Sequence, residues 1–214
     1  MSDIRFDGRV AIVTGAGGGL GRCHALELAR RGAKVVINDL GASMDGSGGN
    51  SAAAEAVVKE IEAMGGEAMA NGSSVADEAG VKKMIDDTMA RFGQIDILIA
   101  NAGILRDKSF SKMTQADIDL VIDVHLRGSF MPIHAAWDIM KAQNYGRIVV
   151  TTSSTGLYGN FGQANYGAAK LGLVGMMNTL KIEGAKNNIK INSVCPVAAT
   201  RMTEGLMPEA VLAQ

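Results

Sequence analysis

Aromatic side chains are scarce in this chain: one Trp, three Tyr and five Phe account for 4% of 214 residues. Beside them stand 27 Gly and 13 Met, a balance that fits an α/β protein with many tight turns, in which methionine fills gaps between helices and sheet. Cysteine is nearly absent. Cys23 and Cys195 fall in unrelated elements and lack metal-ligand spacing, which excludes a disulfide framework and reads as two reduced, packed thiols. The three histidines, His24, His125 and His134, form no zinc-like cluster, so no metal is expected. Charge of one sign is also missing: 21 Lys and Arg against 22 Asp and Glu give a net charge of -1. That argues against nucleic acid or an anionic membrane as the main partner. No apolar run reaches membrane-spanning length, and the start MSDIRFDGR is not a signal peptide. The end, VLAQ, carries no peroxisomal tripeptide, so a cytoplasmic setting is expected. What remains is a globular chain, 47% hydrophobic and long enough for one substantial core, read as a single domain over residues 1–214.

The order of apolar runs then gives the architecture. Val10–Thr14 is a short β-branched run suited to a strand buried on both faces. It leads straight into Gly15-Ala-Gly-Gly-Gly-Leu-Gly21 and a helical pattern through Leu26, Leu28 and Ala29, stopped by Gly32. Strand, glycine turn and helix in that order is the context a phosphate-binding loop requires. Glycine lets the backbone approach a pyrophosphate, and the helix start offers unpaired N–H groups. A second strand, Val35–Asn38, ends at Asp39, 18 residues beyond Gly21, where a carboxylate can accept from adenosine ribose hydroxyls or simply cap a turn. No Lys or Arg lies among residues 15–21 or directly after Asp39 to pair a 2′-phosphate, so NAD is expected over NADP.

Further along, residues 41–51 read as a surface loop and Ala52–Met64 as a helix with Val57, Ile61 and Met64 on one stripe. A weak strand at Glu67–Ala70, a helix marked by Val81, Met84, Ile85, Met89 and Phe92, and a buried strand at Ile95–Ala100 follow. That strand exits into Asn101-Ala102-Gly103, small enough for a cofactor to lie across its end. Thr114–Ala142 reads as one long helical region, apolar enough to pack on the sheet and on another subunit. Strands at Arg147–Thr151 and Lys190–Val194 flank a helix running from Tyr166 to about Ala185. Regular βα alternation predicts a Rossmann-type, doubly wound parallel sheet flanked by helices.

The chemistry gathers in Ser153–Lys170. Tyr166 and Lys170, four apart, share one helix face. A free phenol titrates near ~10, too high for neutral proton transfer, and a cation one turn away stabilises the phenolate. Ser153 sits at the carboxyl end of a strand, thirteen residues upstream of the tyrosine, where open α/β sheets bind ligands. Each feature alone also has a structural explanation: a packed tyrosine, a solvated lysine, a turn serine.

Thr14-Gly-x-x-x-Gly-x-Gly21, Asn101-Ala-Gly103, Ser153 and Tyr166-x-x-x-Lys170, in this order and spacing, resemble the short-chain dehydrogenase/reductase family along essentially the whole chain. NDLGASMDGSGG, VHLRGSF, GLYGNFGQANYGAAKLGLVG and Arg201–Thr203 are similar to the (3R)-hydroxyacyl-CoA dehydrogenase domains of peroxisomal multifunctional enzymes and their bacterial relatives. The resemblance implies Tyr166 as general acid/base, Ser153 as partner of the same substrate oxygen, and Lys170 as holder of the nicotinamide ribose that depresses the tyrosine pKa. It implies Gly15, Gly19, Leu20 and Gly21 at the phosphates, Asp39 at the ribose, Asn101 on the adenosine side, and Ser74, Val75, Ala102, Gly103 and Pro196 as further cofactor contacts. His125 stands where relatives carry an asparagine that supports a proton relay; it is either a relay member or a packed core histidine. The substrate implied is a (3R)-hydroxyacyl-CoA, with a steroid alcohol, an acyl-carrier-protein thioester or a non-catalytic nucleotide sensor as alternatives, and a homodimer or homotetramer as the assembly. Family chains continue past the Pro196 region through a substrate loop, a helix and a last strand, so the C-terminal strand is expected to be missing at Gln214.

Overall fold

The computed structural model describes residues 4–43, 45–47 and 52–197. Six parallel strands form one sheet in the order β3-β2-β1-β4-β5-β6. In chain order they are β1 (Val10–Thr14), β2 (Lys34–Asn38), β3 (Ala68–Asn71), β4 (Ile97–Ala100), β5 (Gly146–Thr151) and β6 (Ile189–Val194). Between them run α1 (Gly19–Arg30), α2 (Ala52–Ala63), α3 (Glu78–Phe92), α4 (Gln115–Ile122), α5 (Gly128–Gln143), α6 (Ser154–Tyr158) and α7 (Ala164–Glu183). The doubly wound expectation therefore holds. The expected missing last strand, and the Arg201–Thr203 segment, lie outside the described residues.

Successive strand side chains point to opposite faces, and two cores result. Ala11, Val13, Val35 and Ile37 pack with Ala25, Leu28, Val57 and Ile61 beneath α1 and α2. Ile12, Val36, Leu98 and Ile148 pack with Met84, Ile133, Met140 and Leu173 beneath α3, α5 and α7. Covered on both sides, the strands need no polar alternation, which is why they read as continuous apolar runs. At their carboxyl ends the composition changes: Thr14, Asn38, Asn71 and Thr151 are buried and polar. That edge is where a ligand crevice belongs, at the reversal of winding between β1 and β4.

Two expectations need correction. The long helical region is not one α-helix, because Asp123–Arg127 forms a π-helical turn between α4 and α5. Ser129 Oγ donates to the His125 carbonyl at 2.7 Å there, one way of satisfying backbone where the α ladder is interrupted. Nor are the cysteines packed: Cys23 and Cys195 are free and exposed, on the outer side of α1 and just past β6. Smaller differences include the short helix α6, which the sequence pattern does not mark, and β4 starting at Ile97 rather than Ile95.

Candidate active site

A cavity of ≈ 620 Å³ opens along the carboxyl edge of the sheet. Of the residues expected at a cofactor, Gly15, Leu20, Asp39, Ser74, Val75, Asn101, Ala102, Gly103 and Pro196 line it, together with His125, Ser153, Tyr166 and Lys170. Gly19 and Gly21 do not line it, and their part is in the backbone. Gly19 starts α1 with φ 52°, a left-handed value that favours glycine. A Cβ on Gly21 would lie 2.1 Å from the Gly15 carbonyl oxygen, so α1 can meet the strand exit this closely only without a side chain. Gly15, with φ 63°, is pressed against Ala102 in the same way, 2.8 Å from its Cα to a Cβ. Gly18 precedes α1 with no side-chain cap, which leaves its first-turn N–H groups to a ligand.

The turn is held from below. Thr14 Oγ1 accepts from the Asn101 and Ala102 backbone N–H groups at 3.0 and 3.1 Å. Asn101 Nδ2 donates to the Thr14 and Gly15 carbonyls at 3.0 and 3.1 Å. The amide of Asn101 thus clamps the glycine turn across the β1–β4 gap while its residue borders the cavity. Asp39 accepts from the Gly17 and Gly41 N–H groups at 2.8 and 2.7 Å, which fixes a carboxylate at the end of β2. Arg22, the nearest basic residue to the turn, is tied to Glu60. Uncapped N–H groups, glycines that a Cβ would displace, and a fixed carboxylate at the β2 end together fit a dinucleotide cofactor.

The catalytic expectation concerns the other half of the cavity. Ser153 follows β5 and caps α6, its Oγ accepting from Thr155 N at 3.2 Å, and it lines the same cavity as Tyr166. Lys170 is buried, its Nζ donating to the Thr151 carbonyl at 2.6 Å and lying 5.4 Å from the Tyr166 ring centroid. One expectation reverses in this state. Burial raises the Tyr166 pKa, against a lowering by the nearby Ser153 side chain, while burial brings the Lys170 ammonium down to about 7. Desolvation is the largest cause of both shifts.

His125, in the π turn, is 2% exposed. Its Nε2 lies 2.8 Å from the Ile104 carbonyl oxygen and 3.1 Å from Ile104 N. Its ring meets Tyr166 edge to face at 5.1 Å. Gly103 lies against it so closely that a Cβ would fall 2.5 Å from Cε1. Burial, and then the Lys170 charge, lower its pKa to about 3. The ring is therefore neutral at physiological pH, with Nε2 engaged by Ile104 and Nδ1 buried without a partner. This geometry favours packing over relay. His125→Ala is expected to cost on the order of 2–3 kcal/mol, a fall in Tm of ~5–10 °C, without moving the pH profile of turnover. Thermal melts and pH–rate curves on that variant check this; an unchanged Tm with a displaced profile would restore the relay.

The sequence reading missed Gln163, Asn160 and Thr155, which also line the cavity; the GNFGQANY stretch that contains two of them offered no spacing rule to single them out. Among the described residues no group of three or more His, Cys, Asp or Glu is placed to hold a metal, and no helix is long and apolar enough to cross a membrane.

Residues 9–210 match the short chain dehydrogenase family. Peroxisomal multifunctional enzyme type 2 of Mus musculus is 58% identical over 208 residues, covering 97% of this chain, while the chain spans only 28% of the mouse protein. A short-chain type dehydrogenase/reductase of Mycobacterium tuberculosis is 55% identical over 95% of the chain and 71% of its own length. Among solved structures, a short chain dehydrogenase from Mycobacterium avium superposes with a TM-score of 0.84 at 44% identity, covering 92% of this chain and 70% of that one. The fold agrees with these matches, and the chain belongs to the short-chain dehydrogenase family.

Proposed function

We propose that this chain is an NAD-dependent dehydrogenase that interconverts a secondary alcohol and a ketone, with a (3R)-hydroxyacyl-CoA and its 3-ketoacyl-CoA as the pair. The observation that carries the reading is the meeting of Ser153, Tyr166 and Lys170 in the same cavity as the Gly15–Gly21 turn and Asp39. A bound nicotinamide cofactor supplies or accepts the hydride. The chain's own part is position and proton transfer. Ser153 Oγ and the Tyr166 hydroxyl, on residues that line the same cavity, hold the substrate oxygen between them. Tyr166 takes the alcohol proton in oxidation and returns it in reduction. Lys170, in a water-poor site, stabilises the phenolate more strongly than it would in bulk water. It also holds the cofactor's ribose.

The Asp39 carboxylate favours NAD, since a 2′-phosphate would meet a like charge there and Arg22 is already paired with Glu60. Asp39→Ala should narrow the NAD preference in kcat/KM. A wild-type enzyme that uses NADP at least as well as NAD removes Asp39 from this role. The substrate class is supported by the similarity to multifunctional enzymes, whose names are peroxisomal; for this chain a cytoplasmic setting and a homodimer or homotetramer remain part of the proposal. With NAD, a (3R)-hydroxyacyl-CoA should exceed its (3S) epimer, a steroid alcohol and an acyl-carrier-protein thioester in kcat/KM. A shortened thioester should lose kcat as well as affinity, because remote contacts orient the reacting carbon. A win for any competitor in that panel overturns the substrate and leaves the chemistry standing.

A further inference from the structure

One buried amide joins three segments near Tyr166: α6, the loop before α7 and the loop after β4. Gln163 is 7% exposed and immediately precedes α7, one turn before Tyr166. Its Oε1 accepts from Thr155 Oγ1 at 3.0 Å and from Asn160 Nδ2 at 3.1 Å. Its Nε2 donates to the Asp107 carboxylate at 2.7 Å. Thr155 in turn donates its N–H to Ser153 Oγ, so a continuous chain of bonds runs from Ser153 through Thr155 and Gln163 to Asp107. A second tie runs parallel: Lys108 N donates to the Gly162 carbonyl at 2.9 Å. The amide of a glutamine has one acceptor and one donor end, and here both are used by side chains from different segments.

We propose that Gln163 is a positioning residue that locks the Tyr166 helix to the Ser153 loop and ties both to the Asp107 carboxylate in the loop after β4. This inference rests on the reading of Ser153 and Tyr166 as the reacting pair. Hydrogen-bonded groups that fix a catalytic pair matter because misplacement by about 1 Å can cost ~10²-fold in rate. The charge argument has a sign. Tyr166 faces Lys170 from its own helix, the neutral His125 from the π turn, Ser153 from the end of β5, Cys195 from beyond β6 and Asp107 from the loop after β4. Asp107 is the carboxylate of that set, and it opposes the phenolate that Lys170 favours. Gln163, by donating to it, keeps that anion in place.

The test uses the full chain with NAD and the best alcohol of the substrate panel. Gln163→Leu keeps the volume and removes all three bonds; kcat should fall between tenfold and ~10²-fold, with NADH affinity, read by fluorescence titration, kept within about threefold. Asp107→Asn keeps an acceptor for Gln163 and removes the charge. It should move the acid limb of kcat/KM for oxidation to lower pH by ~0.5 unit, the size expected of a partly exposed charge. A purely structural bond network would lower Tm and leave that limb where it is. Tyr166→Phe serves as the reference. If it stays active, the site reading itself fails. If it is inactive while Gln163→Leu turns over normally, or Asp107→Asn leaves the limb unmoved, only the present inference falls. Asp107 is on the surface, so its variant answers even where Gln163→Leu does not fold.

Discussion

Tyr166→Phe is expected to lower kcat by ~10²–10⁴, the range lost with a general acid/base, while NADH binds about as it does to the wild type. The substitution keeps the ring, and with it the edge-to-face contact on His125 at 5.1 Å; what disappears is the hydroxyl proposed to move the proton. Stability should change by no more than about 1 kcal/mol, the worth of one hydrogen bond. Because burial raises the phenol's pKa in the protein alone, oxidation should also speed up with rising pH until that group is ionised. Steady-state rates from pH 6 to 10, with fluorescence titration of NADH, test both statements. A phenylalanine variant with near-normal turnover sinks the assignment of Tyr166.

Lys170→Met should abolish useful turnover and weaken cofactor binding, yet stabilise the fold in a pH-dependent way. The amine is 4% exposed and burial lowers its pKa from 10.5 to about 7. Between those values the unfolded chain binds more protons than the folded one, so wild-type stability rises with pH across that window. Below pH 7 the full desolvation penalty applies; toward pH 10.5 it is relieved. Methionine has no such penalty, so the variant's advantage should be largest near pH 6 and shrink toward pH 10. The unpartnered Thr151 carbonyl subtracts about 1–2 kcal/mol at every pH. A difference of ~5 °C or more in the Tm gap between pH 6 and pH 10 is expected. A gap that is flat, or widens with pH, would mean the ammonium is well accommodated. A residue that weakens the fold while it serves the site is the usual pattern for buried charge at functional positions.

Much of this was legible because periodicity and motif order carry long-range information. Strands covered on both faces read as Val and Ile runs, and the glycine turn with its following helix fixed the crevice. Spacing of four placed Tyr166 and Lys170 together, and the structure puts Ser153 on the same cavity. Three things were not legible. The sign of the Tyr166 shift depends on how completely the site is desolvated, and no spacing reports that. The outward cysteines were misread because hydrophobicity of type stood in for position, on the outer side of α1 for Cys23 and just past β6 for Cys195. Gln163 was passed over because its partners, Thr155 and Asp107, lie 8 and 56 positions away, and only the folded loops bring them to one amide.

The π turn at Asp123–Arg127 has a geometric consequence for the whole helical layer. At ~100° per residue, the twelve steps from Val121 to Ile133 would leave these two residues ~120° apart around a continuous α-helix. Both are nevertheless buried. A π turn takes up one extra residue, and eleven effective steps bring the two back to within ~20°. The insertion thus acts as a phase correction between two otherwise mismatched stripes, and the residue cycled inward by that correction is His125. Removing one residue from 123–127 would let the helix run on as uninterrupted α, but at the price of turning one of the two buried stripes outward.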